Sequence, residues 1–97
     1  MTEQAVLVYL PAQRTGRLAL VEEPVAAAVA ASGAGEYDGH EIGPDGAVLY
    51  LYGPDADRLL EVVAPVLRRG PLPAGSYAIK RYGPPGARAV RLDLTAR

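Results

Sequence analysis

The densest cluster of polar side chains in this 97-residue sequence is Asp38-Gly39-His40-Glu41, which contains the only histidine. In a regular strand, Asp38 and His40 point to the same side and lie about 6.6 Å apart along the chain. A carboxylate and an imidazole at that spacing could form an acid–base pair or supply two metal ligands. Two ligands do not make a metal site, and the sequence has no second histidine and no HExxH motif. We therefore expect a solvated edge strand and no metal, with Asp38 and His40 kept only as ligand candidates.

Other catalytic chemistries lack the residues they need. The chain has no cysteine, which excludes disulfides, thiol nucleophiles and zinc–cysteine sites. Its two serines, Ser32 and Ser76, do not lie in a G-x-S-x-G motif, and no Gly-Pro pair is followed by the GK[ST] of a phosphate-binding loop. We expect no catalytic residue and no cofactor. The alternative is a small-ligand-binding or acid–base enzyme of the dimeric α+β barrel type that uses Asp38, His40 and Glu41.

Hydrophobic periodicity, turn residues and helix caps indicate where the secondary structure lies. They predict two helices, at residues 22–32 and 56–69, and five strands, at residues 5–10, 36–42, 47–52, 76–82 and 87–94. Pro24 is placed in the first turn of the first helix, where proline is tolerated, and Asp55 caps the second helix. An alternative pairs residues 17–22 with the first strand as a hairpin.

The order of these elements is β-α-β-β-α-β followed by an extra C-terminal strand. A faint internal repeat supports it, since AVLVYLP at residues 5–11 resembles AVLYLYGP at residues 47–54. We therefore predict an α+β protein, a two-layer ferredoxin-like sandwich that forms a single domain over residues 1–97. The spatial strand order of that fold, 4-1-3-2, makes the second and fourth strands the sheet edges.

Charge is distributed unevenly along the chain. The formal net charge is −1, but residues 1–57 carry −7 and residues 58–97 carry +6. In the predicted fold this asymmetry gives two oppositely charged sheet edges, which could protect the sheet from aggregation or select a partner. The candidate residues of these edges are Glu36, Asp38 and Glu41 on one side and Lys80, Arg81, Arg88 and Arg91 on the other.

The aromatic residues are six tyrosines, with no phenylalanine or tryptophan. Two helices can cover only one side of the sheet, so strand alternation leaves several tyrosines on the other side. Tyrosine tolerates both water and burial, and an apolar face with phenol groups is typical of a contact surface. The candidate interaction face consists of Leu7, Tyr9, Val48, Tyr50, Tyr52 and Tyr82. We expect a non-catalytic domain that acts through protein–protein contacts and forms a homodimer through this face.

Tyrosines on the central strands of such a sheet also occur in the RNA recognition motif. That motif requires a basic residue and a glycine before the aromatic residues of its third strand, where this chain has Asp45-Gly46. The sequence pI is about 5.7. We do not expect nucleic acid as a ligand.

Residues 35–39, Gly-Glu-Tyr-Asp-Gly, together with the strand–helix segment at residues 50–57, resemble small bacterial ferredoxin-like proteins of uncharacterised function. The same five residues are similar to the Tyr-Asp-Gly segment of the regulator of ribonuclease E activity, type B. That family carries a tryptophan after the segment, where this chain has His40. The resemblance implies a ferredoxin-like fold and a non-catalytic binding role with a protein partner.

No targeting or membrane-spanning segment is apparent. The sequence begins MTEQAVLVYL, without the basic start of a signal peptide, and its longest strictly apolar stretch is residues 25–31. A membrane span needs about 20 apolar residues. We therefore expect a cytoplasmic protein without membrane contact.

Overall fold

The computed structural model describes residues 3–12 and 15–95 of the chain. It contains two helices and five strands. In chain order they are β1 (Gln4–Pro11), α1 (Thr15–Ser32), β2 (Glu36–Gly43), β3 (Gly46–Gly53), α2 (Ala56–Arg69), β4 (Tyr77–Arg81) and β5 (Ala89–Asp93).

The strands form one antiparallel sheet in the order β2-β3-β1-β4-β5. This confirms the predicted α+β ferredoxin-like sandwich with an extra strand. The expectation that the fourth strand is an edge was wrong, because β5 pairs with β4 along its whole length and takes the edge position. β1 is thus the central strand, and β2 and β5 are the edges. Among the described residues, no helix is long and apolar enough to cross a membrane.

Helix α1 begins at Thr15, well before the predicted start at Glu22, so Pro24 lies inside it. The alternative hairpin was also wrong, since residues 17–22 are helical. Pro24 cannot donate a hydrogen bond to the carbonyl of Leu20. Both residues lie on the exposed side of α1, where water can satisfy that carbonyl. The helix is held on the sheet by a stripe of four buried residues: Leu18, Val21, Val25 and Val29.

Helix α2 follows its sequence signals closely. Asp55 is the N-cap, and its carboxylate accepts a hydrogen bond from the backbone N–H of Arg58. Arg68 and Arg69 lie in the last turn, where positive charge is favourable beside the helix dipole, and Gly70 follows the last helical residue.

The hydrophobic core lies between the helices and one side of the sheet. On β1 and β3, alternate side chains enter the core and the intervening ones face away from the helices. The largest fully buried strand side chains of the core are those of Val6, Val8, Leu10, Leu49 and Leu51. The helices supply the opposite layer, with Val25, Val29, Leu59, Val63 and Leu67.

Strand β2 contains a bulge between Tyr37 and His40 that inserts one extra residue. Gly39 has a φ of +102°, a conformation that favours glycine. The extra residue reverses the side-chain alternation along β2. As a result Tyr37 and His40 both lie on the helix side, while Glu36 and Glu41 both lie on the opposite side.

Candidate functional site

The side of the sheet that faces away from the helices carries a continuous row of large apolar side chains. Leu7, on the central strand, lies opposite Tyr50 on β3 and Ile79 on β4. These side chains are half-buried by one another, and neither helix covers them. We call this surface the tyrosine face, defined by Leu7, Tyr9, Val48, Tyr50, Tyr52, Tyr77 and Ile79.

A stack of three side chains lies at one end of the tyrosine face. The rings of Tyr9 and Tyr77 are nearly parallel, with an interplanar angle of 10° and centroids 4.8 Å apart. The guanidinium of Arg91 on β5 lies over the Tyr77 ring, 3.8 Å from its centroid, and its Nε is 3.1 Å from a carboxylate oxygen of Asp93. Stacking and cation–π contacts fix the orientation of these rings.

On the acidic side, Glu41 of β2 contacts the tyrosine face directly. Its Oε1 accepts a hydrogen bond of 2.5 Å from the hydroxyl of Tyr50. This hydrogen bond, with smaller contributions from burial and nearby charge, raises the pKa of Tyr50 to about 12. The bulge makes the contact possible, because Glu41 would otherwise lie on the helix side.

The structure places five of the six predicted face residues together on this side of the sheet: Leu7, Tyr9, Val48, Tyr50 and Tyr52. The prediction that the sixth residue, Tyr82, lies on this face was wrong. Tyr82 packs partly against the core, and its hydroxyl donates a hydrogen bond of 2.7 Å to Asp57 on α2. Tyr82 directly follows Arg81, so alternation turns it to the helix side.

The predicted acidic edge lies along β2. Glu36 and Glu41 lie on the side of the sheet that faces away from the helices, which we call the open side. Asp38 and Glu36 both line a cavity of about 530 Å³ beside Tyr52, at the end of the face opposite the stack. A second cavity, of about 550 Å³, lies at the other end, between Tyr9, Glu41 and the β2–β3 turn.

The predicted basic residues do not form a single edge. Lys80 points to the helix side, where its Nζ is 2.8 Å from Asp57 Oδ1. Arg88 lies over the ring of Tyr82, 4.5 Å from its centroid. Arg81 and Arg91 remain on the open side, and Arg81 Nε donates to the carbonyl of residue 83.

The Asp38–His40 pair expected from regular alternation is absent, because the bulge separates the two side chains. His40 instead lies with its Nδ1 2.6 Å from Glu22 Oε2 on α1, and the hydroxyl of Tyr37 donates to the same oxygen. Burial alone would raise the pKa of Glu22, but the hydrogen bonds from Tyr37 and His40 outweigh it and lower that pKa. Burial and the hydrogen bond to Glu22 raise the pKa of Tyr37 well above its ordinary value. We call Glu22, Tyr37 and His40 the carboxylate clamp, since they hold α1 on edge strand β2.

Sequence reasoning missed Glu22, Tyr77 and Ile79. Glu22 was assigned to the first turn of its helix, so no contact with β2 was expected. Tyr77 and Ile79 are at alternate positions of β4, a signal that could have found them once β1 was known to pair with β4.

In the carboxylate clamp, a carboxylate lies against one nitrogen of an imidazole, an arrangement that also occurs where a histidine acts as a general base. None of the three cavities described is lined by His40. Within residues 3–12 and 15–95, no group of three His, Asp or Glu side chains could hold a metal ion.

No protein-family model, curated protein or solved structure matches the chain.

Proposed function

We propose that this chain is a non-catalytic binding domain that acts through protein–protein contacts, and that the tyrosine face is its contact surface. We further propose that a second copy of the chain occupies this face. The observation that carries the proposal is the tyrosine face itself, an ordered apolar surface that covers the central strands on the side without helices.

The size of the face supports self-association. The tyrosine face lies on three strands about 4.8 Å apart and about six residues long, so it covers roughly 14 × 20 Å, or about 300 Å² in each copy. The largest contiguous apolar patch on a monomeric protein is typically about 300 to 600 Å², and such patches often mark contact sites. A two-fold contact is the commonest way to cover such a patch, because it buries the same patch on both copies.

Charge on the two flanks of the face favours one orientation of that two-fold contact. Glu36 and Glu41 lie on the β2 flank, whereas the β4–β5 flank carries Arg81, Arg91 and Asp93 on the same side, so the two flanks have charges of −2 and +1. A two-fold axis parallel to central strand β1 lays the β2 flank of one copy over the β5 flank of the other. An axis perpendicular to the strands would lay acid over acid. Electrostatic complementarity therefore selects the first arrangement.

The energy available is sufficient for a micromolar dimer. At about 25 cal/mol per Å², burying about 300 Å² on each copy contributes roughly 15 kcal/mol gross. Association costs about 4 to 15 kcal/mol in lost freedom. The free energy that remains after this cost is subtracted from the gross gain is a range, and it spans the roughly 8 kcal/mol that corresponds to a micromolar Kd.

Sedimentation equilibrium between 1 and 200 µM tests the proposal. We expect the wild-type chain to reach twice its monomer mass of 10.2 kDa within this range. Tyr50→Glu should be predominantly monomeric at the concentrations where the wild type is a dimer, because it places a second carboxylate beside Glu41 in the middle of the contact.

Leu20→Glu is the matched control. Leu20 is the most exposed large apolar residue of the described chain, at 57%, and it lies on the outer side of α1. This variant should dimerise like the wild type. A wild-type monomer at all concentrations, or equal masses for Tyr50→Glu and wild type, would overturn the proposal.

A further inference from the structure

The two edges of the sheet differ sharply in how well they resist pairing with another strand. β2 carries the bulge at Gly39 and three acidic residues, so two β2 edges would repel and could not align. β5 has no bulge, no proline and no glycine, and all five of its residues are exposed. An edge strand that lacks a bulge and a proline can serve as a template for pairing, and the two charged residues of β5, Arg91 and Asp93, are opposite in sign.

The backbone hydrogen bonds show which groups of β5 remain free. Leu94 N–H donates to the carbonyl of Ser76, and Tyr82 N–H donates to the carbonyl of Arg88. In an antiparallel ladder, directly opposed residues alternate between hydrogen-bonded and non-hydrogen-bonded pairs. The even-numbered residues of this segment therefore bond to β4, and the N–H and C=O groups of Ala89, Arg91 and Asp93 point to the free edge.

The β5 sequence is complementary to itself when it runs antiparallel to a second copy. With Leu92 opposite Leu92 of the other copy, each Arg91 lies opposite an Asp93, so two opposite-charge pairs form across the edge. In the same register, Arg91 and Asp93 exchange backbone hydrogen bonds through their outward groups. The neighbouring register, shifted by two residues, would place Arg91 opposite Arg91.

We propose that β5 is a second contact surface, whose occupant is β5 of another copy in the Leu92–Leu92 register. The pair joins two sheets into one continuous ten-stranded sheet. On the helix side of β5, where Val90 and Leu92 are 38% and 36% exposed, Leu92 lies opposite Leu92 of the other copy and Val90 lies opposite its Leu94. The contact uses residues other than the central tyrosines, so it stands independently of the proposed function.

The experiment is carried out in the Tyr50→Glu chain, which removes the face contact. We expect this chain to dimerise at several hundred micromolar, because five-residue strands bury a small area. Arg91→Asp and Asp93→Arg should each weaken that dimer about tenfold, since both cross-edge pairs change from attraction to repulsion. An equimolar mixture of the two variants should recover the parent affinity, as should the double variant Arg91→Asp/Asp93→Arg.

Amide hydrogen exchange provides a second measurement, which does not depend on the charge variants folding. Raising the concentration of the Tyr50→Glu chain should slow exchange at Arg91 and Asp93, whose N–H groups face the edge. Exchange at Glu36 and Glu41 on β2 should not change. The proposal is overturned if the Tyr50→Glu chain stays monomeric to 1 mM, or if the mixture of charge variants associates no better than either variant alone.

Discussion

The carboxylate clamp makes a sharp prediction about stability, because one oxygen of Glu22 accepts both of its hydrogen bonds. The Glu22 side chain is 21% exposed, and the His40 side chain is 34% exposed. A hydrogen bond to a charged group contributes about 1.5 to 3 kcal/mol net. Since His40 is partly solvated, we take the lower end for both bonds. Glu22→Ala should therefore lower the free energy of unfolding by about 3 kcal/mol.

Urea unfolding at pH 7 measures this loss. Glu23→Ala is the matched control, because Glu23 is the exposed neighbour on the same helix and should change the free energy of unfolding by less than about 0.5 kcal/mol. A double-mutant cycle of Glu22→Ala with Tyr37→Phe isolates the tyrosine hydrogen bond. It should give a coupling energy of about 1.5 kcal/mol.

The clamp also predicts how stability depends on pH. The folded pKa of Glu22 lies below its ordinary value of 4.5. A group with a lowered folded pKa contributes stability above its unfolded pKa, and that stability is lost as the pH falls through the folded pKa. The wild type should therefore have a higher free energy of unfolding than Glu22→Gln at neutral pH, and this difference should disappear below about pH 4.5. A Glu22→Ala chain as stable as Glu23→Ala, or a coupling energy of zero, would refute the reasoning.

Three further predictions concern the local structure around the tyrosine face. Gly35→Ala should lower the free energy of unfolding, measured with urea, by about 1 to 3 kcal/mol, because a Cβ there would overlap a β3 carbonyl. Gly43→Ala is the control and should leave the free energy of unfolding unchanged, because the space around Gly43 is open. Asp55→Ala should cost about 1 kcal/mol of stability in the same assay by removing the N-cap of α2, whereas Asp55→Asn should retain most of it. Glu41→Gln should lower the pKa of Tyr50 from about 12 toward 10 by removing the charged acceptor, which ultraviolet titration of the phenolate can follow; an unchanged titration would contradict the Tyr50–Glu41 contact.

Segments whose local signals agreed with the tertiary fold could be predicted from the sequence. α2 was predicted with its observed bounds because Asp55, its apolar spacing and Gly70 all indicate the same helix. The face residues of β1 and β3 followed from alternation, since these central strands are regular along their whole length.

The remaining differences come from places where tertiary contacts override local signals. Pro24 reads as a helix start, yet burial of Leu18 and Val21 extends α1 before it. A glycine inside a strand, such as Gly39, is typical of a bulge or an edge strand, but its effect on which side His40 and Glu41 occupy depends on pairing with β3. The position of β5 outside β4 depends on a hairpin that periodicity alone does not specify.

The most direct test of the central claim is a search for intermolecular contacts at the tyrosine face. In an equimolar mixture of isotope-labelled and unlabelled chains at millimolar concentration, filtered nuclear Overhauser spectra detect only contacts between copies. We predict cross-peaks that join Leu7 and Tyr9 of one copy to the same residues of the other, and Tyr50 of one copy to Ile79 of the other. Intermolecular cross-peaks confined to the helices, or none at the tyrosine face while the chain sediments as a dimer, would contradict the account.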